Sequence, residues 1–376
     1  MEIGLYRPAW AEINLSAVAH NMKEIRKIVR PETEIMAVIK ANGYGHGAEK
    51  IAKTVLNCGA GRLAVATLGE AIKLKRAGIQ APILILGYTP PAQVPLAIDY
   101  DITQTVYTLN MAQNISRVAE EKGKQVAVHI KIDTGMGRIG FLPGGETVKK
   151  IIQITRMKGL LVEGIYTHFA LADHQDKSYT RYQLSKFQEV IAALDGEGIH
   201  IPLKHAANSA AIIDMPETHM DMVRPGIIIY GCYPSEEVQK SRIYLMPAMQ
   251  LKAQVSFVKK IGTGTSISYG RKFIAEKETM IASLPLGYAD GYSRLLSNQG
   301  YVLIRGHKAP VVGTICMDQF MVDASGISGI KVGDEAVLFG TQGTEKISVE
   351  EIAQRLGTIN YEILCMVSER IPRIYI

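Results

Sequence analysis

Between residues 34 and 230 short apolar runs alternate with longer amphipathic stretches, and no other feature limits the fold as tightly. The runs at 35–39, 63–67, 82–86, 102–106, 126–132, 161–167, 203–206 and 222–224 are bounded by turn residues, the pattern of strands buried on both faces. Between them, apolar residues recur at helical spacing over 47–58, 70–76, 92–98, 111–122, 146–157, 179–194 and 208–213, and a short turn at 227–230 follows Pro225-Gly226. Strand-then-helix units repeated over roughly 200 residues with right-handed crossovers predict a (β/α)8 TIM-like barrel of parallel strands. A strand at 11–15 and a helix capped by Ser16 precede the first unit.

The chain has 376 residues, more than one ordinary domain holds, and its texture changes near Pro234. Short strands at 255–261, 279–285, 301–305, 311–316 and 336–339 are separated by Gly, Asp and Asn turns and predict a mainly antiparallel β domain. One helix interrupts it, opened by Ser348 with Glu350 and Glu351 in its first turn. The expected organisation is an α/β barrel over 12–240, then a β domain over 241–376 that also takes in the N-terminal strand at 1–11.

Candidate chemistry falls at the C-terminal ends of the barrel strands, where barrel enzymes keep their active sites. Lys40 ends the first run and is followed by Ala41-Asn42-Gly43-Tyr44-Gly45-His46-Gly47. Two readings are open. The lysine snorkels out of a strand end, or burial disfavours its ammonium form and frees an amine that adds to a carbonyl. Arg138, His168, Asn208-Ser209 and Arg224 follow later strands and would face the same mouth.

Composition narrows the function classes. Apolar residues make up 47% and charged residues 21%, as in a globular protein with a large core. The net charge of +6 is scattered without a basic block, which argues against nucleic acid and membrane surfaces as partners. No window is long and apolar enough to span a bilayer, and Met1 to Tyr6 lack the layout of a signal peptide. Cys58, Cys232, Cys316 and Cys365 are too dispersed for a disulfide framework or a metal site, so a reducing cytoplasm is the expected home. The histidines show no metal-binding spacing, so no metal is expected.

The chain closely resembles alanine racemase, and through it the barrel-type (fold type III) pyridoxal phosphate enzymes. The resemblance runs from Trp10-Ala11-Glu12 to Arg373-Ile374-Tyr375. It is carried by the Lys40 stretch, Asp133-Thr134-Gly135-Met136-Gly137-Arg138-Ile139-Gly140, His205-Ala206-Ala207-Asn208-Ser209, Val223-Arg224-Pro225-Gly226, Ser268-Tyr269-Gly270, Pro285-Leu286-Gly287-Tyr288-Ala289-Asp290-Gly291 and Cys316-Met317-Asp318. Each motif is weak alone; all of them in the family's order are specific.

The resemblance implies a pyridoxal phosphate cofactor in Schiff-base linkage to Lys40. It implies that Tyr44 contacts the cofactor, that Ser209, Gly226, Ile227 and Tyr361 hold its phosphate, and that Arg224 faces its pyridine nitrogen. A guanidinium stays charged at any working pH, so an arginine there donates a hydrogen bond without sharing its proton and leaves the ring a weaker electron sink than a carboxylate would. From the residues alone, Tyr44 is also a packed aromatic, Ser209 a helix cap and Arg224 half of a structural ion pair. Racemisation needs two acid/base groups on opposite faces of one carbon. The resemblance assigns them to Lys40 and Tyr269, with His168 beside the tyrosine as its proton partner. It assigns the substrate carboxylate to Arg138 and the backbone of Met317, with Tyr288 and Asp318 nearby. Lys131 stands where some family members carry a carbamylated lysine.

The resemblance further implies a homodimer with active sites shared between subunits, and a role in supplying D-alanine for peptidoglycan. A broad-specificity amino-acid racemase, such as one acting on serine, keeps the same residues. A decarboxylase has no need of Tyr269. A non-catalytic pyridoxal phosphate-handling protein resembles the barrel alone, and a barrel without cofactor would lack the cofactor's absorbance.

Overall fold

The computed structural model describes residues 7–376; residues 1–6, on which the signal-peptide argument rests, lie outside the described residues. The chain divides into two compact units. One comprises Ala17–Gly43 and Ala48–Met246; the other comprises the segment up to Ser16, Tyr44–Gly47 and Pro247–Ile376.

After β1 (Ala9–Ile13), the first unit carries β2 (Glu34–Val38), β3 (Arg62–Val65), β4 (Ile83–Ile85), β5 (Thr103–Val106), β6 (Val126–Lys131), β7 (Leu160–Tyr166), β8 (Leu203–His205) and β9 (Met222–Val223). Each of β2 to β7 pairs in parallel with the next, and β9 pairs with β2. Between β8 and β9 no ladder forms among the described residues; the gap is bridged by Asp221 N–H to Lys204 O (3.1 Å), Arg224 N–H to Ala207 O (3.0 Å) and Lys204 N–H to the Asp221 carboxylate (2.8 Å). Most strand residues are buried because helices cover the outer face while side chains fill the inner one, among them the polar His129, Lys131 and His205.

The expected strand and helix order therefore holds through the barrel. Ser16 does not cap the first helix: that helix runs Leu15–Ile28 and already contains it. Thr67, Thr108 and Asn208 do cap theirs, each accepting a backbone N–H from the first turn.

The second unit is a ten-stranded sheet, antiparallel except where β1 runs parallel to Arg373–Tyr375. β1 also pairs antiparallel with Met249–Gln254. That last strand was not expected, nor was Phe320–Asp323. Two other expectations need correction. The strand placed at 311–316 is His307–Val312, and residues 313–316 leave the sheet. A second helix, Asn360–Met366, follows the expected one at Val349–Leu356. Short two-sided strands and a seven-residue helix carry little periodicity of their own; long-range pairing decides them.

Candidate active site

β2 ends at Val38 and the chain then winds the wrong way. Ala41, Asn42 and Gly43 have φ of 51°, 54° and 64°, a left-handed turn directly after Lys40. Each non-glycine residue in that conformation costs roughly 1–2 kcal/mol. Local hydrogen bonds hold it. Gly43 N–H donates to Ile39 O (2.9 Å), and the Asn42 side chain accepts from Ala48 N–H (2.9 Å).

Behind the lysine the barrel interior is polar and fully wired. Arg224 is buried, and through Nη2 it donates to Thr167 O (2.7 Å), Ala206 O (3.0 Å) and His168 Nδ1 (3.4 Å). Through Nη1 it donates to His205 Nδ1 (2.8 Å). Guanidinium only donates, so His205 accepts at Nδ1 and carries its proton on Nε2. That N–H faces His129 Nδ1 (2.8 Å), and His129 Nε2 in turn faces Glu163 Oε1 (3.1 Å). Arg62 closes the chain, bonding Glu163 (2.9 Å) and Glu34 (3.1 Å). One directed series thus runs from Arg224 to an ionised carboxylate. No carboxylate touches Arg224 in this series, so the plain ion-pair reading of that residue does not hold.

A backbone irregularity makes the series possible. The β6–β7 register shifts between Val128 and His129, whose partners are Val162 and Gly164, leaving Glu163 as an extra residue. A Cβ at Gly164 would lie 2.4 Å from His129 Nδ1, so only glycine admits the imidazole there.

Burial sets the charges. It lowers the His129 pKa, and it drops His205 and His168 well below the ordinary histidine range, with Arg224 adding to all three. Lys131, Arg138 and Lys40 lower His168 further, which keeps its imidazole neutral. Arg224 is itself pushed down to about 10 by burial and stays charged. Burial alone would raise the Glu163 carboxyl, but His129 and Arg62 outweigh it and hold it below the carboxylate range.

Arg138 sits on an exposed loop that one carboxylate organises. Asp133 accepts from the backbone N–H of Gly135, Gly137 and Arg138, each at 3.0 Å. Ser209 is buried at the first position of helix Ser209–Asp214, whose cap is Asn208. The cap reading of Ser209 therefore fails. Its Oγ instead accepts Gly226 N–H (2.8 Å), which brings those two residues together beside buried Ile227.

The second unit gathers the others. Tyr44 and Tyr361 face each other with ring centroids 6.1 Å apart, and burial raises the Tyr44 pKa. Tyr269 is 72% exposed and is presented by a turn in which Ser268 (φ 67°), Gly270 (φ 72°) and Arg271 (φ 47°) all have positive φ. The Thr314 hydroxyl anchors it by donating to Tyr269 O (2.9 Å). Tyr288 and Met317 lie on two joined turns, with Tyr288 N–H donating to Cys316 O and Ala289 N–H to Met317 O, both at 3.1 Å. Asp318 accepts from Arg370 (2.6 Å).

Sequence reasoning singled out neither the histidine–glutamate series nor Tyr166. Tyr166 stacks on His205 at 4.7 Å, lies under the Lys131 ammonium at 5.0 Å and donates its hydroxyl to Thr105 (2.9 Å). The available signal was the alternation of His129 and Lys131 on one face of β6, a period of two with polar groups aimed at the barrel axis.

The fold is that of a barrel enzyme, with Lys40, Arg138 and Arg224 following strands at their C-terminal ends. Residues 13–234 match the family model for the alanine racemase N-terminal domain, and residues 248–375 that for its C-terminal domain. An alanine racemase of Desulforamulus reducens is 56% identical over 369 residues, covering 98% of this chain and 99% of its own. A solved alanine racemase of Clostridium difficile 630 is 46% identical with a TM-score of 0.95, covering 98% and 96% of the two chains. A solved histidine racemase of Leuconostoc mesenteroides is 30% identical with a TM-score of 0.91, covering 99% and 98%. The chain belongs to the alanine racemase family and is an enzyme of that family.

Proposed function

We propose that the protein is a cytoplasmic, pyridoxal phosphate-dependent racemase that interconverts L- and D-alanine by two bases and supplies D-alanine for peptidoglycan. The observation that supports it most is a buried Arg224 bonded to His205 and His168, with Lys40 and Arg138 following other strands at the same end of the barrel. Such a donor set suits an anionic, carbonyl-bearing group. Lys40 offers an amine to the aldehyde, Arg224 a donor to the ring nitrogen, and Ser209, Gly226 and Ile227 polar and backbone groups to the phosphate, with Tyr44 and Tyr361 completing its surroundings. Bound there, the cofactor supplies a sink for the electron pair left when the α proton departs.

The remaining work belongs to the chain. Arg138 holds the substrate carboxylate with its planar fork, helped by the Met317 backbone, Tyr288 and Asp318. Lys40 exchanges a proton at one face of the α-carbon and Tyr269 at the other. His168, kept neutral by burial and accepting from Arg224 at Nδ1, presents an Nε2–H that would orient the tyrosine hydroxyl by donating to it. A chiral assay of the cofactor-loaded protein should carry either alanine enantiomer to a near-equal mixture. The histidine racemase relative makes a wider substrate range the second reading. Turnover of another amino acid in place of alanine in the same assay would favour it.

From the family resemblance we take each site to combine the barrel unit of one copy with the β unit of another. Lys40→Ala and Tyr269→Phe variants, each inactive alone, should then recover about a quarter of wild-type activity on statistical mixing, because half the dimers carry one intact site. No recovery after verified subunit exchange would sink the shared site.

Lys131 adds a pH-dependent feature. Burial and Arg224 push its ammonium down to about 7 against the pull of Asp133. Its free amine therefore grows through neutrality, and free amine adds carbon dioxide with loss of one proton. Labelled bicarbonate should give a carbamate carbon signal on Lys131 above pH 7 that fades below it and is missing in Lys131→Met. Lys131 found unmodified under these mild conditions would overturn this assignment.

A further inference from the structure

Glu70 has no role assigned above, yet it holds the turn that carries Lys40. It is the third residue of helix Leu68–Arg76, where it forms a capping box with Thr67. Its Oε2 accepts from Ala66 N–H (2.8 Å) and Thr67 N–H (3.1 Å), and Thr67 Oγ1 accepts from Glu70 N–H (3.4 Å). A capping box needs no more than this. The other oxygen leaves the helix altogether: Oε1 accepts from Ala41 N–H at 2.6 Å. One carboxylate thus joins the end of β3 to the peptide that follows Lys40.

That peptide has reason to drift. Ala41 has no glycine freedom, yet sits at φ 51° and ψ 50°. A short, charge-assisted bond to its N–H fixes the Lys40–Ala41 peptide plane, and with it the backbone from which the lysine side chain leaves. We propose that Glu70 is the positioning residue for Lys40, setting the direction of its amine through the left-handed turn; this rests on the nucleophilic role proposed for Lys40.

Glu70→Gln isolates the effect. Glutamine serves capping boxes well, but it has one acceptor oxygen, so its amide NH2 must face a donor on one side. With the oxygen kept at the cap, the link to Ala41 is lost. Thr67→Ala is the control, since it weakens the cap and leaves that link intact. Two readouts separate positioning from folding: hydrogen exchange at the Ala41 amide, and the rate at which pyridoxal phosphate becomes trapped on Lys40 by borohydride in the cofactor-stripped protein. Glu70→Gln should speed Ala41 exchange and slow trapping by about tenfold or more, given how steeply reactivity falls with small misplacements. Thr67→Ala should lower the melting temperature at least as much while trapping at the wild-type rate. Wild-type trapping and exchange rates in Glu70→Gln, or equal slowing in both variants, overturn the proposal. Failure of the wild type itself to trap the cofactor on Lys40 would strike the proposed function instead.

Discussion

Lys40→Ala should abolish racemisation in both directions, whereas Tyr269→Phe should slow inversion by orders of magnitude yet leave proton exchange at the lysine face in place. The lysine is asked to do two things, to anchor the cofactor and to exchange a proton at one face, so its loss removes both. The tyrosine is asked to do one. General acid–base groups are worth roughly 10²–10⁴-fold, and inversion requires both faces, so Tyr269→Phe should lower turnover by about that factor. In deuterated water the phenylalanine variant should still wash the α proton out of one enantiomer with retention, because Lys40 still reaches its own face. Chiral chromatography with mass detection reads both quantities at once. Washout from both enantiomers at comparable rates in Tyr269→Phe would mean that a different group serves the second face. Tyr269 is mostly exposed in its turn, so its removal leaves no cavity, and a lost activity could not be ascribed to unfolding.

A second large effect should appear as acid lability. His129, His168 and His205 are buried, and each has its pKa lowered from 6.5. In the unfolded chain they titrate near that ordinary value. Below it the unfolded state binds protons that the folded state refuses, so stability is full above pH 6.5 and falls as the pH drops towards the depressed folded values. A histidine protonated only in the unfolded chain contributes a slope of at most about 1.4 kcal/mol per pH unit, so His168 and His205 carry most of the effect. His219, lowered mainly by burial, adds with the same sign. Urea unfolding between pH 7.5 and 5 should therefore show a steep loss well before the carboxylates titrate. His168→Gln, which keeps an acceptor for Arg224, should flatten the slope by about one proton. An unchanged slope in that variant would show that His168 titrates alike in the folded and unfolded chain, so that burial does not hold it neutral beside Arg224.

Local sequence determined much of the barrel. Runs such as 35–39 and 83–86 are apolar because a strand between helices and axis meets no water on either side, and that demand is written residue by residue. Thr67, Thr108, Asn208 and Ser348 mark helix starts through side-chain chemistry that acts within one turn. Lys40 at a strand end was legible for the same reason, and the family resemblance supplied candidates for the other roles.

Tertiary structure decided what depends on residues far apart in sequence. Met249–Gln254 is a strand because β1, more than two hundred positions away, pairs with it. The series from Arg224 through His205 and His129 to Glu163 spans four chain segments. It exists only because barrel closure turns their inward positions toward one axis and a register shift frees Glu163 to join them. Ser209 shows the limit at the scale of one residue. Its position beside a helix start suggests a cap, but Asn208 takes that place, and the serine hydroxyl turns to Gly226, seventeen residues on. Periodicity and capping are local and therefore readable. Where a buried polar group finds its partner is settled by closure, because a buried donor or acceptor must be satisfied by whatever the fold brings within reach.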